Sequence, residues 1–275
     1  MEGAKQGLSL RDIQEREAGI LRALAGFCRE IGVRYYLAGG TLLGAARHGG
    51  FIPWDDDVDI LIPRPDYERL IRIANGRIGR YEVKTYPRDK QYGYPFMKVV
   101  DPECMARTRD MGKPQPLWID VFPMDGLPDG DKAVRRVFRR ALRLQRLLTA
   151  VWMPIGSASG FARSLARFLI ALPARIIGHG WFIRRIEKVC TAHDFDKAEF
   201  AAGLVWTRGP GERMHKADFI CSTPLPFEGD THPAPGCYER YLTNMYGDYW
   251  VLPAEEDRKG HILEAWTILG EDVMV

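Results

Sequence analysis

The sequence predicts a mixed fold of helices and strands, of α+β or α/β type, on three observations. The first 125 residues interleave segments of helical period with short strand-like runs. Several acids stand inside apolar strand patterns, as in Val58-Asp59-Ile60-Leu61-Ile62 and Trp118-Ile119-Asp120-Val121-Phe122. Residues 131–190 then read as helices rich in arginine.

The elements follow in order. Ser9 to Ile31 reads as a helix: Ser9 caps it, Asp12 stands in a loose capping-box position, and Ile13, Ile20, Leu21, Leu24 and Phe27 recur at helical spacing up to Gly32. The run VRYYLAG is strand-like and is closed by Gly39-Gly40; TLLGAARH makes a short helix and GGFIPW a loop. Asp57 to Ile62 reads as a strand ended by Pro63 and Pro65, and Asp66 to Asn75 as a helix with Tyr67, Leu70, Ile71 and Ala74 on one face. YEVKTYP, YPFMKVVD and Leu117 to Asp125 are strands. Val134, Val137, Phe138, Ala141, Leu142, Leu148 and Trp152 mark one stripe of a long helix, with Arg135, Arg139, Arg143 and Arg146 opposite. MPIGSASG interrupts that pattern, and Phe161 to Leu172 resumes it. From Phe195 onward the chain is rich in glycine, proline and aromatic residues.

At 275 residues the chain is long enough for a substantial core, as one large or two small domains. The net charge of +3 says little, but its distribution is uneven. Residues 132–188 hold 13 lysines and arginines against one acid, Glu187. The N-terminus lacks the apolar stretch of a signal peptide, which predicts a cytoplasmic protein. Five widely spaced cysteines with no C-x-x-C pair argue against a zinc site or disulfide framework and for reduced thiols.

Asp55, Asp56, Asp57 and Asp59 crowd into five residues. On a strand, Asp57 and Asp59 project from one face. Two such carboxylates repel unless a cation sits between them, and Mg²⁺ or Mn²⁺ suits oxygen ligands. Asp120 is a candidate third carboxylate on a neighbouring strand, giving a set able to support in-line phosphoryl transfer. The Gly39-Gly40-Thr41 turn brings backbone N–H groups close to a phosphate, with Arg47 and Lys98 as further cations. The competing readings are a solvated acidic loop, which the apolar flanks oppose, and an EF-hand-type calcium loop. The second fails because Ile60 stands at its sixth position and Asp66 at its twelfth. Taken alone, Gly39-Gly40 also fits a plain turn and Asp120 a buried, paired acid.

These residues carry a resemblance. YYLAGGTLLGAARHGGFIPWDDDVDI closely resembles the signature of the LicD family of phosphocholine transferases, relatives of fukutin and fukutin-related protein in the polymerase-beta-like nucleotidyltransferase superfamily. WIDVFPMDG, PFEG and YGDYWVLPAEEDR follow in the family order. The resemblance implies an α+β fold: a nucleotidyltransferase-like mixed sheet with flanking helices, plus a basic helical insertion. The segments are then a nucleotidyltransferase core over 1–130, a basic amphipathic helical segment over 131–194 and a C-terminal segment over 195–275 that completes the active site. The implied activity is transfer of a phospho-substituent such as phosphocholine from a CDP-linked donor to a hydroxyl of a cell-surface glycan or glycolipid, with release of CMP. Asp57, Asp59 and Asp120 would hold Mg²⁺ or Mn²⁺, with Asp55 a further ligand. Gly39, Gly40, Thr41, Arg47 and Lys98 would hold the donor phosphates.

Glu228, Glu256 and His261 are pocket candidates from the C-terminal motifs, and Tyr249 and Trp250 a cation-binding face. The basic helices suit ordinary solvated faces, the default, or an anionic membrane surface, with Phe161, Phe168, Leu169, Trp181 and Phe182 inserting; the resemblance favours the second, which would place the protein peripherally on the inner face of the membrane. No nucleic-acid motif accompanies the basic charge, so no nucleic-acid partner is expected. Two other functions fit the same residues: a glycosyltransferase using Asp-x-Asp and a nucleotide sugar, and a non-enzymatic peripheral membrane-binding module.

Overall fold

The structure, a computed structural model, describes residues 5–108, 113–152, 169 and 171–268. Strand β1 (Lys5–Gly7) leads into helix α1 (Leu10–Ile31). Ser9 starts that helix with a complete capping box: its hydroxyl accepts from Asp12 N at 3.2 Å, and the Asp12 carboxylate accepts from Ser9 N at 2.8 Å. Gly32 ends it in the left-handed region at φ 66°. The apolar stripe of α1 buries Ile20, Leu21, Leu24 and Cys28 completely or nearly so, worth about 2 kcal/mol for each large side chain.

Strand β2 (Tyr36–Leu37) is followed by α2 (Gly39–His48), β3 (Asp59–Pro63), α3 (Arg64–Ala74), β4 (Arg77–Ile78), β5 (Tyr81–Lys84), β6 (Met97–Thr108) and β7 (Gln115–Gly126). Helices α4 (Asp131–Trp152) and α5 (His179–Cys190) come next, then β8 (Phe200–Ala202), β9 (Met214–His215) and α6 (Lys216–Ile220). The hairpin of β10 (Ser222–Phe227) and β11 (Asp230–Pro235), helix α7 (Tyr238–Tyr246) and β12 (Ile262–Ile268) complete the described chain. The main sheet runs β1-β12-β6-β7-β3-β2, with β5 also on β6 and β8 also on β7. Among the described pairings only β3–β7 is parallel.

Alternation along the central strands separates two faces. Val99, Ile119 and Val121 join the core under α1, together with Ile60 and Ile62. Lys98, Trp118, Asp120 and Phe122 turn the other way, into a cavity. A second core lies between α4, α5 and the loops beside them: Val134, Phe138 and Leu148 meet Phe182, Ile183, Ile186, Leu204 and Val205. Arg135, Arg139, Arg143 and Arg146 are exposed on the far side of α4.

Four readings change. Gly39-Gly40 opens α2 instead of closing β2. The strand begins at Asp59, so Asp57 lies in the preceding loop, and strand alternation does not set its direction. Of the predicted insertion residues Phe182 is buried in the second core, while Leu169 and Trp181 are exposed; the run Phe161–Leu172 lies largely outside the described residues. The seven-residue strand β12 and its short partner β1 were not expected at all.

Candidate active site

Three adjacent strands set the site's first row. Register places Asp59 of β3 beside Asp120 of β7, and Asp120 beside Lys98 of β6, so three charged side chains stand in line on one face. Lys98 is 4 % exposed. Its Nζ lies 3.2 Å from Asp120 Oδ1, 3.9 Å from the Trp118 ring centre and 4.3 Å from that of Tyr94. Burial draws its ammonium pKa down, and Asp120 opposes that change. Lys98 thus offsets the charge of Asp120 and is itself held on aromatic faces.

Asp59 is fixed through its backbone as well: its N–H donates to Thr41 Oγ1 at 2.8 Å. Thr41 is buried beneath the site, which makes it a clamp between α2 and β3. At Gly39 (φ +52°) a Cβ would come within 2.8 Å of an Asp59 oxygen, and at Gly40 within 2.7 Å of an Asp55 oxygen. The two glycines let the N-terminus of α2, with its unpaired N–H groups, stand against these carboxylates.

The third part comes from the far end of the chain. Asp56, 3 % exposed, accepts from His261 N at 2.7 Å and Ile262 N at 2.6 Å. At Gly260 a Cβ would meet the Asp56 carboxylate at 2.5 Å. Asp56 therefore pins the start of β12 and with it His261, whose Nδ1 is 3.3 Å from Asp56 and 3.4 Å from Asp57. That pairing raises the His261 pKa to about 9, the hydrogen bond its ring donates to Asp56 contributing most.

The carboxylates fit a cation. Asp55, Asp57 and His261 each bring one ligand atom to within 4.8 Å of the others. Burial first, then Asp55, pushes Asp57 up to about 7. Burial, then Asp57 and Asp120, holds Asp59 well above the carboxylate range. A positive ion among them removes both penalties. Oxygen donors with one imidazole suit Mn²⁺ or Mg²⁺, the nitrogen favouring Mn²⁺. Among the described residues this converging cluster differs from the set Asp57, Asp59 and Asp120 read in the sequence: Asp59 and Asp120 are neighbours of it.

A cavity of about 880 Å³ opens over this row. Gly39, Asp56, Asp57, Asp59, Lys98, Asp120 and His261 line it. Its other walls are aromatic: Tyr92, Tyr94, Phe96, Trp118, Trp152 and Trp206. Several residues of the sequence reading stand outside this lining. Arg47 turns away, its guanidinium donating to Tyr249 O and His48 Nε2 at 2.9 Å each. Glu228 accepts from Arg11 at 2.7 Å and from Phe51 N at 3.1 Å, bracing the β10–β11 hairpin against the loop after α2. Glu256 is exposed in a short 3₁₀ turn, Glu255–Asp257. Tyr249 and Trp250 stack on each other away from the cavity lining. Conversely, the reading passed over Tyr92, Tyr94, Trp118, Trp206 and Arg208, all in the lining. Tyr94 and Trp118 lie inside the strand runs YPFMKVVD and Leu117 to Asp125, where an aromatic residue reads equally as ordinary strand packing.

The mixed sheet thus holds a carboxylate row beside a cavity, an arrangement whose oxygen donors fit a divalent cation. Residues 32–125 match the family model described as LicD/FKTN/FKRP, nucleotidyltransferase domain, about a third of the chain. Among its relatives, the lipopolysaccharide cholinephosphotransferase LicD of Haemophilus influenzae is 28% identical over 271 residues, 95% of this chain and 99% of that protein. The ribitol 5-phosphate transferase FKRP of Homo sapiens is 62% identical over 58 residues, 21% of this chain and 12% of that protein. The family model spans Gly39 to Asp120 of the site; Arg208 and His261 lie beyond it.

Proposed function

We propose that this chain is a LicD-family phosphotransferase that moves a phospho-substituent, phosphocholine or a similar group, from a CDP-linked donor to a hydroxyl of a glycan or glycolipid and releases CMP. The row Asp59–Asp120–Lys98 facing the cavity beside Asp57 is the observation that carries this reading. Its fold is taken as nucleotidyltransferase-like. Residues 1–130 are its core, 131–194 a basic helical insertion, and 195–275 the segment that completes the site through His261.

Asp57, Asp59 and Asp120, with Asp55 and His261 within reach, would hold Mg²⁺ or Mn²⁺. When bound, such an ion neutralises the diphosphate and stabilises the charge that develops on the departing CMP. The protein's own groups do the rest. Gly39 and Gly40 present the first N–H groups of α2 to donor phosphate. Asp120 accepts the proton of the acceptor hydroxyl at a carboxylate oxygen; burial raises its pKa, which strengthens it as a base, and Lys98 beside it favours the ionised form. Thr41 and Asp56 position Asp59 and His261. Arg47 and Glu228 brace the neighbouring segments from outside the cavity.

The exposed arginines of α4 and α5, with Leu172, Ile176, Ile177 and Trp181 exposed nearby, support docking on an anionic lipid surface on the cytoplasmic side. Among the described residues no helix is long and apolar enough to cross a membrane.

The test is a melting-temperature titration with CMP, CDP-choline, CDP-ribitol and UDP-glucose, each with Mn²⁺ or EDTA, followed by assay of CMP release. Metal-dependent shifts with CDP compounds and release of CMP are expected. A shift with UDP-glucose alone, and release of UDP, would replace this reading with a glycosyltransferase.

A further inference from the structure

We infer that Arg208 is a donor-phosphate-binding residue of this site, presented by a turn that the buried carboxylate of Glu212 holds in place. The inference rests on the phosphotransferase reading for the identity of the ligand, but its geometry stands apart from it.

Four cations near the aspartates are candidates for meeting an anionic ligand, and three are committed elsewhere. Arg47 faces Tyr249 O and His48. Lys98 is buried against Asp120, Trp118 and Tyr94. His261 is shared by Asp56 and Asp57. Arg208 lines the same cavity as Asp57, Asp59 and Asp120, and its side chain forms no ion pair with a carboxylate of the described residues. The Tyr246 ring centre lies 5.8 Å from its guanidinium carbon. It feels the attraction of Asp59 without closing onto it. A cation left unpaired beside an acidic row is arranged for a third party that is itself negative, and a planar guanidinium matches phosphate oxygens two at a time.

The turn under Arg208 is built rather than loose. Glu212, 6 % exposed, accepts from Thr207 Oγ1 at 2.8 Å and from Arg208 N at 2.5 Å. Thr207 Oγ1 in turn accepts from Gly209 N at 3.0 Å. Gly209 sits at φ 136°, a conformation that favours glycine. At Gly203 a Cβ would stand 3.1 Å from Glu212 Oε2, so the carboxylate is enclosed from that side too. A buried carboxylate spent on two donors of one turn costs stability, and what the turn carries into the cavity is Arg208.

The experiment compares wild type, Arg208→Ala, Arg208→Lys, Glu212→Ala and Glu212→Gln by melting temperature, with Mn²⁺ alone, Mn²⁺ plus pyrophosphate, and Mn²⁺ plus CDP-choline or CDP-ribitol. The expected result for Arg208→Ala is an unchanged response to Mn²⁺ alone and about 10- to 100-fold weaker pyrophosphate binding, with Arg208→Lys in between. Because Arg208 is exposed, Arg208→Ala keeps the wild-type melting temperature without ligand. Glu212→Ala weakens pyrophosphate binding as Arg208→Ala does, and Glu212→Gln, which retains an acceptor oxygen, restores most of it. No pyrophosphate response in the wild type, or an equal one in Arg208→Ala, overturns the inference. If pyrophosphate binding depends on Arg208 but no CDP compound binds, the inference stands and the CDP-donor reading fails.

Discussion

Asp57 and Asp59 hold like charges at close quarters in a partly dry site, a cost that a cation bound among them would offset. Their removal therefore has opposite effects on stability and on activity. Asp59→Asn and Asp57→Asn are expected to raise the melting temperature in EDTA, by a gain of about 1–3 kcal/mol, and to lower transfer activity by at least about 100-fold. Calorimetry in EDTA beside CMP-release kinetics checks both. A fall in melting temperature would mean that the carboxylates are structural. Glu212 supplies the pH dependence at this scale. Burial pushes its carboxyl up to about 7 from an ordinary 4.5. A raised carboxyl binds its proton more tightly in the folded state, so its contribution is full below pH 4.5 and is lost as pH rises through 7, at most about 3 kcal/mol. Denaturant midpoints from pH 4.5 to 8 are expected to fall for the wild type and to flatten in Glu212→Gln. The residue types of the site were legible in the sequence because aspartates in apolar strands are costly without a purpose. Arg208 was not: nothing in WTRGPGE distinguishes a cation facing a cavity from one facing water, and only the tertiary fold brings β7 and β8 together.

At the scale of elements, α1 and α4 were plain in the sequence, since a cap and a 3.6-residue stripe fix a helix locally. Strands β1 and β12 were not, because each is defined by pairing with a partner distant in sequence. The same locality explains Asp57: two-residue alternation predicts a strand from Asp57, but pairing begins at Asp59, after a loop held by Asp55 N donating to Ile52 O at 2.8 Å. Helix α2 approaches that loop backbone to backbone. A Cβ at Gly44 would collide with the carbonyl oxygen of Gly50, and Ile52 N would be 3.1 Å away. Gly44→Ala is expected to cost about 1–3 kcal/mol and to shift α2, measurable as a lower denaturant midpoint with a weakened Mn²⁺ response.

Across the whole molecule, one buried link joins the sheet to the helical layer. Arg64 of α3 forks onto Asp125 of β7, with N–O distances of 2.6 and 3.0 Å, and its remaining Nη1 reaches Glu187 of α5 at 2.8 Å. Arg64→Ala leaves Asp125 buried at 1 % exposure without its partner, an expected loss of about 3–5 kcal/mol. Urea unfolding followed by separate probes of the sheet and of α5 would reveal whether the two layers then come apart in two steps. The basic helices were legible as helices from their pattern, but their burial against Leu204 and Val205 depends on residues far along the chain.

The parallel joint between β3 and β7 has a further consequence, in time rather than in space. Parallel neighbours need a crossover, and here α3 and strands β4 to β6 lie between the two site carboxylates. Closing so long a loop is slow and comes after local structure has formed. Asp59 and Asp120 therefore meet late, and a divalent ion finds no complete site in the early folding chain. Mn²⁺ is expected to retard unfolding and to leave the refolding rate nearly untouched, a split that stopped-flow kinetics with and without the ion would resolve. An ion bound to this site acts as a latch on a finished molecule, not as a template for making one.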